Sequence, residues 1–506
     1  MDRPRIILTG ASGFLGRHLI EYLKDHYEIL AIARRSPQEC GVPKHPSLQW
    51  FQVDIGDRQH LGSVFDKVLG EGGAEIVIHL AAHYDFTGEE HPEYWRTNVG
   101  GLRNILEFCK PLRVRQFFFA SSVAASKIPA GGQALNEDSP PDGEHIYAVT
   151  KRIGEEMLRE YTDTVPATII RFGAMFSDWC EYPPLFIFLS TWLSKTWNAR
   201  VLGGRGQSAI PYLHVRDAVS FFKAALARYP ILSPCEVLVA STSGTTDHLA
   251  LFEAATRAYY GRALRPILMP KILCWPGMLA RDLMGRAVGD RPFERPWMAK
   301  YIDTRMIADA SRTCARLDWT PRPRLEILRR MPFLVENFKT NPEKWNALNR
   351  AAMKEVRVRA NLRVHQLLEK YEEAIVVSLL DAFRGPKAKA WLLHYKRMTP
   401  QEMEWAHRQV LRQIMTVVRT RETSLFIGYC RDLAYHRFSQ GFSVHELCEG
   451  LSIVGEVILK VLRTDPASRD LEQLFHDHIT MPIHLGIDQV EDVYEELSGT
   501  SYTPPE

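Results

Sequence analysis

Residues 5–24 read RIILTGASGFLGRHLIEYLK. The run 5–9 is short and apolar and closes on Gly10, the pattern of a strand buried on both faces. Leu15, Leu19, Tyr22 and Leu23 then return at helical spacing. Gly10, Gly13 and Gly16 therefore stand in a strand-to-helix turn. The first permits a sharp exit from the strand, the second lets backbone approach a pyrophosphate, and the third lets the helix lie against the sheet. The free N–H groups at the helix start would face the anion. Glycine turns after strands are common, so the surrounding pattern must carry the reading.

That pattern is regular. Further strands are expected at 28–33 (EILAIA), 48–54 (LQWFQVD), 75–80 (EIVIHL), 115–121 (RQFFFAS) and 167–172 (ATIIRF), with helical periodicity between most of them. This is the rhythm of an α/β, doubly wound parallel sheet. With 506 residues, 45% of them apolar and 24% charged, two or three domains are expected.

The 63 basic and 60 acidic residues leave a net charge of +3, spread without a field of one sign, so nucleic acid is not an expected partner. Eight cysteines, at 40, 109, 180, 235, 274, 314, 430 and 448, show no C-x-x-C spacing, so no metal is expected and they read as reduced thiols. The first apolar run is too short for a signal-peptide core and no stretch approaches about 18 apolar residues. No membrane span and a cytoplasmic location are the expectations.

Two features add chemistry. Tyr147 and Lys151 lie four apart in a helical pattern, HIYAVTKRIGEEMLREY, so one face would carry both and the ammonium can lower the phenol's pKa. Ser121 and Ser122 end the fifth strand, where open parallel sheets bind ligands and a hydroxyl can hold a reacting oxygen.

These pieces resemble the extended branch of the short-chain dehydrogenase/reductase superfamily, whose core is a Rossmann sheet. The matching segments are TGASGFLG (9–16), VDIGD (53–57), HLAA (79–82), TNVGG (97–101), FFFASS (117–122), YAVTK (147–151), IIRFGAMF (169–176), PYLHVRDAV (211–219) and RLDWTPR (316–322). The resemblance covers residues 1 to about 340. It implies that Tyr147 moves the proton, that Lys151 tunes it and holds a ribose, and that Ser122, rather than Ser121, orients the reacting oxygen. It assigns dinucleotide contacts to Gly10, Ser12, Gly13, Phe14, Leu15 and Gly16 in the turn. Asp54 and Ile55 would flank the adenine, Ala81 and Ala82 would line the nicotinamide side, and Asn98 would brace the sheet near the cofactor or be purely structural.

Dinucleotide choice depends on the end of the second strand, Ala31-Ile32-Ala33-Arg34-Arg35, which lacks an acid and offers two guanidinium groups. Arginine matches a 2′-phosphate in charge and geometry, so NADP(H) is expected over NAD(H). The alternative is that Arg34 stacks on adenine and Arg35 is solvated.

The small substrate lobe expected from the resemblance, mainly 173–210 and 240–340, is rich in aromatic residues, Leu, Met and Pro, as in DWCEYPPLFIFLSTWLSKTW and PILMPKILCWPGMLARDLMG. A bulky, apolar small molecule is the expected substrate. Relatives acting on nucleotide sugars carry Arg-Asp where this chain has Ile210-Pro211, which disfavours an epimerase or dehydratase unless another arginine, such as Arg205, substitutes.

From about residue 345 helical periodicity takes over, giving an expected all-α bundle at 345–498 and a frayed tail at 499–506. Apolar stripes run through Val364, Leu367, Leu368, Tyr371, Ile375, Leu379 and Phe383, and through Met403, Ala406, Val410, Ile414 and Val417. Ser443 and Glu446 form a capping-box pattern before a seam at Val444, Leu447, Leu451, Val454, Ile458 and Val461. The segment GFSVHELCEGLSIVGEVIL is faintly similar to helical domains of bacterial stress-signalling co-antagonists. A homodimer or regulatory partner could use this seam, or one chain could bury it. The leading expectation is an NADP(H)-dependent oxidoreductase acting on a carbonyl or alcohol. The alternatives are a nucleotide-sugar epimerase or dehydratase, and a dinucleotide-sensing protein without turnover.

Overall fold

A computed structural model describes residues 3–499 except Thr87, 289–291, 355–359, Lys387, 421–422, 466–467 and 469–470. Of the expected tail, 499–506, all but Gly499 lies outside the described residues. The chain divides into two units, Met1–Arg357 and Val358–Glu506.

The first unit is built on a seven-stranded parallel sheet. Its strands are β1 (Arg5–Thr9), β2 (Glu28–Ala33), β3 (Leu48–Gln52), β4 (Ile76–His79), β5 (Gln116–Ser122), β6 (Ala167–Phe172) and a last strand, Glu236–Ala240. Their order is Glu236–Ala240, β6, β5, β4, β1, β2, β3. The direction in which strands are added reverses between β1 and β4, and the crevice at such a switch point is where open α/β sheets hold ligands.

Alternate side chains of each strand feed two cores. Ile6 and Leu8 join one with α1 (Phe14–Leu23) and the helix Val215–Arg228. Ile7 joins the other, with α2 (Arg58–Gly70), α3 (Leu102–Leu112) and α4 (Ile146–Glu160). Asp57, in VDIGD, starts α2 by accepting a hydrogen bond from His60 N.

Two segments near the expected lobe boundaries have defined packing. Trp319, in RLDWTPR, leaves the lobe and packs under the sheet, with its Nε1 donating to Ser220 Oγ at 2.9 Å. The helix Pro342–Lys354 stays with the first unit, because Trp345 is buried among lobe residues such as Leu334 and Val335. All eight cysteines are free thiols.

The second unit is helical and has its own core. The first expected stripe is buried, although the helix breaks at Tyr371 into Ala360–Lys370 and Glu372–Arg384. Met403, Val410, Ile414 and Val417 are buried along Pro400–Thr420. Leu447, Leu451, Val454 and Ile458 are buried within the unit along Val444–Leu462. Ser443 caps that helix by accepting from Glu446 N. The Glu446 carboxylate does not complete the capping box; it accepts instead from His394 N at 2.6 Å and lies 2.8 Å from His394 Nδ1.

Candidate active site

The glycine turn is fixed by close packing. Gly10 has φ +70°, and a Cβ there would stand 2.7 Å from Ala81 N; a Cβ at Gly16 would meet Gly10 O at 2.4 Å. Neither position accepts a side chain without moving backbone. Gly13 N-caps α1 in extended conformation and brings no side chain to the helix's first N–H groups, and the first turn holds no acid. That donor set fits a phosphate-bearing dinucleotide.

The turn opens into a cleft of about 1390 Å³ at the carboxyl ends of β1, β4 and β5. Gly10, Ser12, Gly13, Phe14, Leu15 and Gly16 line it, as do Arg34, Asp54, Ile55, Ala81 and Ala82. Ser122, Tyr147 and Lys151 line the same cleft.

Asn98 does not line it. It lies in a π-helical segment, Tyr94–Gly101, and its side chain accepts from His83 N (2.6 Å) while donating to His83 O and Thr150 Oγ1, both at 3.0 Å. It therefore ties the chain leaving β4 to the residue beside Lys151, which is the structural alternative for Asn98.

The two serines have different partners. Ser121 donates its hydroxyl to Glu155 Oε1 at 2.7 Å, and Glu155 is held by Arg171 through two hydrogen bonds of 3.0 and 2.8 Å. The Ser122 hydroxyl accepts from Ala124 N at 3.2 Å.

Tyr147 and Lys151 share one face of α4. Lys151 Nζ donates to Ala120 O at 2.6 Å and lies 5.6 Å from the centre of the Tyr147 ring. Burial pushes the Lys151 ammonium down to about 8, against the opposing charge of Glu155. Burial pushes the Tyr147 phenol up, opposite to the expected lowering.

Sequence reasoning missed several supporting groups. Tyr84 stacks on Tyr147 with ring centres 4.1 Å apart, and the His145 ring centre lies 6.2 Å from that of Tyr147. Glu155 repeats the spacing of Tyr147 and Lys151 on α4, a signal that could have found it. Phe86, Cys180 and Glu181, all beside the cleft or lining it, have φ of 58°, 73° and 53°, strained values for residues with a side chain. Glu181 is fixed by an ion pair to Arg17 of α1 at 2.9 Å.

Arg35 is not among the residues that line the cleft; its side chain donates to Ser12 O within the glycine turn. Arg34 pairs with buried Glu93 at 3.5 Å. Burial alone would raise Glu93, but Arg96, with help from Arg34, holds it below the usual carboxylate range. Asp54 also pairs with Arg96, at 3.0 Å.

Residues 6–235 match the family model described as NAD dependent epimerase/dehydratase family. Over that segment the chain resembles this family. The chain is 25% identical over 248 residues to the dTDP-D-glucose 4,6-dehydratase of Dictyostelium discoideum, covering 44% of this chain and 56% of that protein. It is 28% identical over 146 residues to a putative dihydroflavonol 4-reductase of Synechocystis, covering 29% of this chain and 40% of the relative. The matched stretch thus spans about half the length of these curated relatives. A dTDP-glucose 4,6-dehydratase from Bacillus anthracis, solved with NAD, superposes with a TM-score of 0.53 at 18% identity, over 68% of this chain and 99% of that one. The superposition shows a common fold.

Proposed function

We propose that the chain is an NADP(H)-dependent oxidoreductase acting on a carbonyl or alcohol of a bulky, largely apolar substrate. The observation that carries this reading is that Ser122, Tyr147 and Lys151 line the same cleft as the glycine turn, and that Tyr84, Phe86, Phe188, Trp192, Met278 and Trp297 line it too. A bound nicotinamide supplies or accepts the hydride. Ser122 Oγ donates to the substrate oxygen, and Tyr147 gives that oxygen a proton in reduction or takes one in oxidation. Lys151, steadied by the Ala120 carbonyl, keeps a positive charge beside the phenol and would hold the ribose of a bound dinucleotide. A sensor without turnover has no use for this set. The helical unit is assigned a regulatory or assembly role.

The lysine gives the reaction a pH limb. Its charge is present below about 8 and is lost as pH rises through that value. The reduction rate is therefore expected to fall above pH ~8, whereas Lys151→Arg, which stays charged, should leave a smaller rate that is flat across the same range. Steady-state pH profiles of the two proteins check this.

Dinucleotide choice rests on Arg34 and Arg35. Exchanging both for Ala is expected to weaken NADPH binding roughly 10- to 100-fold, with NADH little changed. Equal losses for both dinucleotides, read by nicotinamide fluorescence, would remove the 2′-phosphate role and leave Arg34 to its pair with Glu93.

A second reading, a nucleotide-sugar epimerase or dehydratase, is favoured by the Dictyostelium relative. Arg205 does not rescue it, since it is not part of the cleft lining, but Arg281 and Lys300 are. The discriminating experiment is a screen for NADPH oxidation with apolar ketones and aldehydes beside conversion of UDP- and dTDP-sugars. Sugar-nucleotide conversion without net NADPH oxidation would replace the first reading with the second.

A further inference from the structure

The helix Lys271–Val288 carries apolar side chains almost all round, yet the fold covers only one stripe of it. Cys274, Asp282 and Gly285 are buried, with Met278 half-buried between them. On the opposite side Ile272 is 83% exposed, Met284 70%, and Leu273, Trp275 and Leu283 more than half. A helix of this composition normally lies inside a core or against a partner.

The exposed face continues to the mouth of the cleft. Ile267 and Leu268, in the preceding strand Ile267–Met269, are exposed and line the cleft, and so does Trp197, which is 83% exposed. That strand pairs with Val201–Gly203, just after Trp197.

Charge identifies the occupant. Residues 262–286 hold five basic residues, Arg262, Arg265, Lys271, Arg281 and Arg286, against one acid, Asp282. Asp282 is buried and pairs with Arg286 and Arg295, both at 2.9 Å or less. Lys271 and Arg281 turn to the Ile302 carbonyl and to Glu294. Arg262, Arg265 and Arg286 are exposed, and Lys195 and Arg200 flank Trp197 in sequence. An apolar face with a basic rim and no exposed acid in its segment suits the interface of an anionic bilayer. No helix among the described residues is long and apolar enough to cross one, so the contact would lie along the surface.

We propose that this face docks on an anionic lipid surface, with Ile272, Trp275, Leu283 and Met284 entering the acyl boundary and the rim arginines meeting headgroup phosphates. The cleft mouth then opens toward the lipid, a source of apolar small molecules. The docking itself does not require the hydride-transfer reading, and it is tested without turnover.

The test is co-sedimentation of the full chain with phosphatidylcholine vesicles, with and without phosphatidylglycerol. Binding is expected only with phosphatidylglycerol, and should weaken as salt is raised. The double variant I272E/M284E should partition about tenfold or more less well, and R262E/R265E should lose the preference for the anionic vesicles, each with an unchanged melting temperature. Absence of wild-type binding, or binding retained in both variants, overturns the proposal. Self-association without lipid that I272E/M284E abolishes, seen by size-exclusion chromatography across concentrations, would assign the face to a second copy and equally overturn it.

Discussion

Replacing Tyr147 by Phe is expected to lower turnover by roughly a hundred- to ten-thousand-fold while leaving dinucleotide affinity nearly unchanged. The ring would keep its stack on Tyr84, at 4.1 Å between centres, and its place beside Lys151. Only the hydroxyl proton would be lost. Steady-state rates paired with nicotinamide fluorescence titration separate the two effects. If turnover survived, proton transfer would have to come from another group in the cleft. If affinity collapsed with turnover, the loss would be one of binding, and the proton-transfer role would stand unsupported.

The second large effect concerns stability. Arg171→Met should destabilise the first unit by about 3–5 kcal/mol, because it strands a carboxylate inside the protein. Glu155 and Arg171 are both buried, and their pair also receives the Ser121 hydroxyl. Arg171 further donates to Ser139 O at 2.6 Å, which ties β6 to the loop before α4. Adding Glu155→Leu to Arg171→Met should restore much of the loss, since no lone charge then remains. Chemical denaturation of the single and double variants measures both steps. A single variant as stable as the wild type would mean that the pair contributes nothing net.

The sheet was legible because its strands are buried on both faces. Ile6, Ile7 and Leu8 read as one apolar run, and they feed both cores. Tyr147 and Lys151 were legible because a helix repeats every four residues or so, and Ser122 because strand ends carry ligands. What was hidden depends on residues distant in sequence. The pairing of Arg34 with Glu93 joins positions 59 residues apart, and nothing in either local pattern announces it. The same holds for Glu446, whose spacing from Ser443 predicts a capping box but whose carboxylate is drawn to His394 by the fold. Local spacing also misjudged the Tyr147 phenol: one helical face brought the lysine near, but burial decides the direction of the shift. Trp345 looked like the start of the bundle because helical periodicity begins there, and only packing assigns it to the lobe.

The most direct test is a crystal structure of the full chain grown with NADP+. The expected result is the pyrophosphate on the N–H groups that open α1, the 2′-phosphate beside Arg34 or Arg35, and the nicotinamide ring facing the Tyr147 hydroxyl with Ser122 alongside. A dinucleotide seated elsewhere, or one whose nicotinamide points away from Tyr147, would contradict the account.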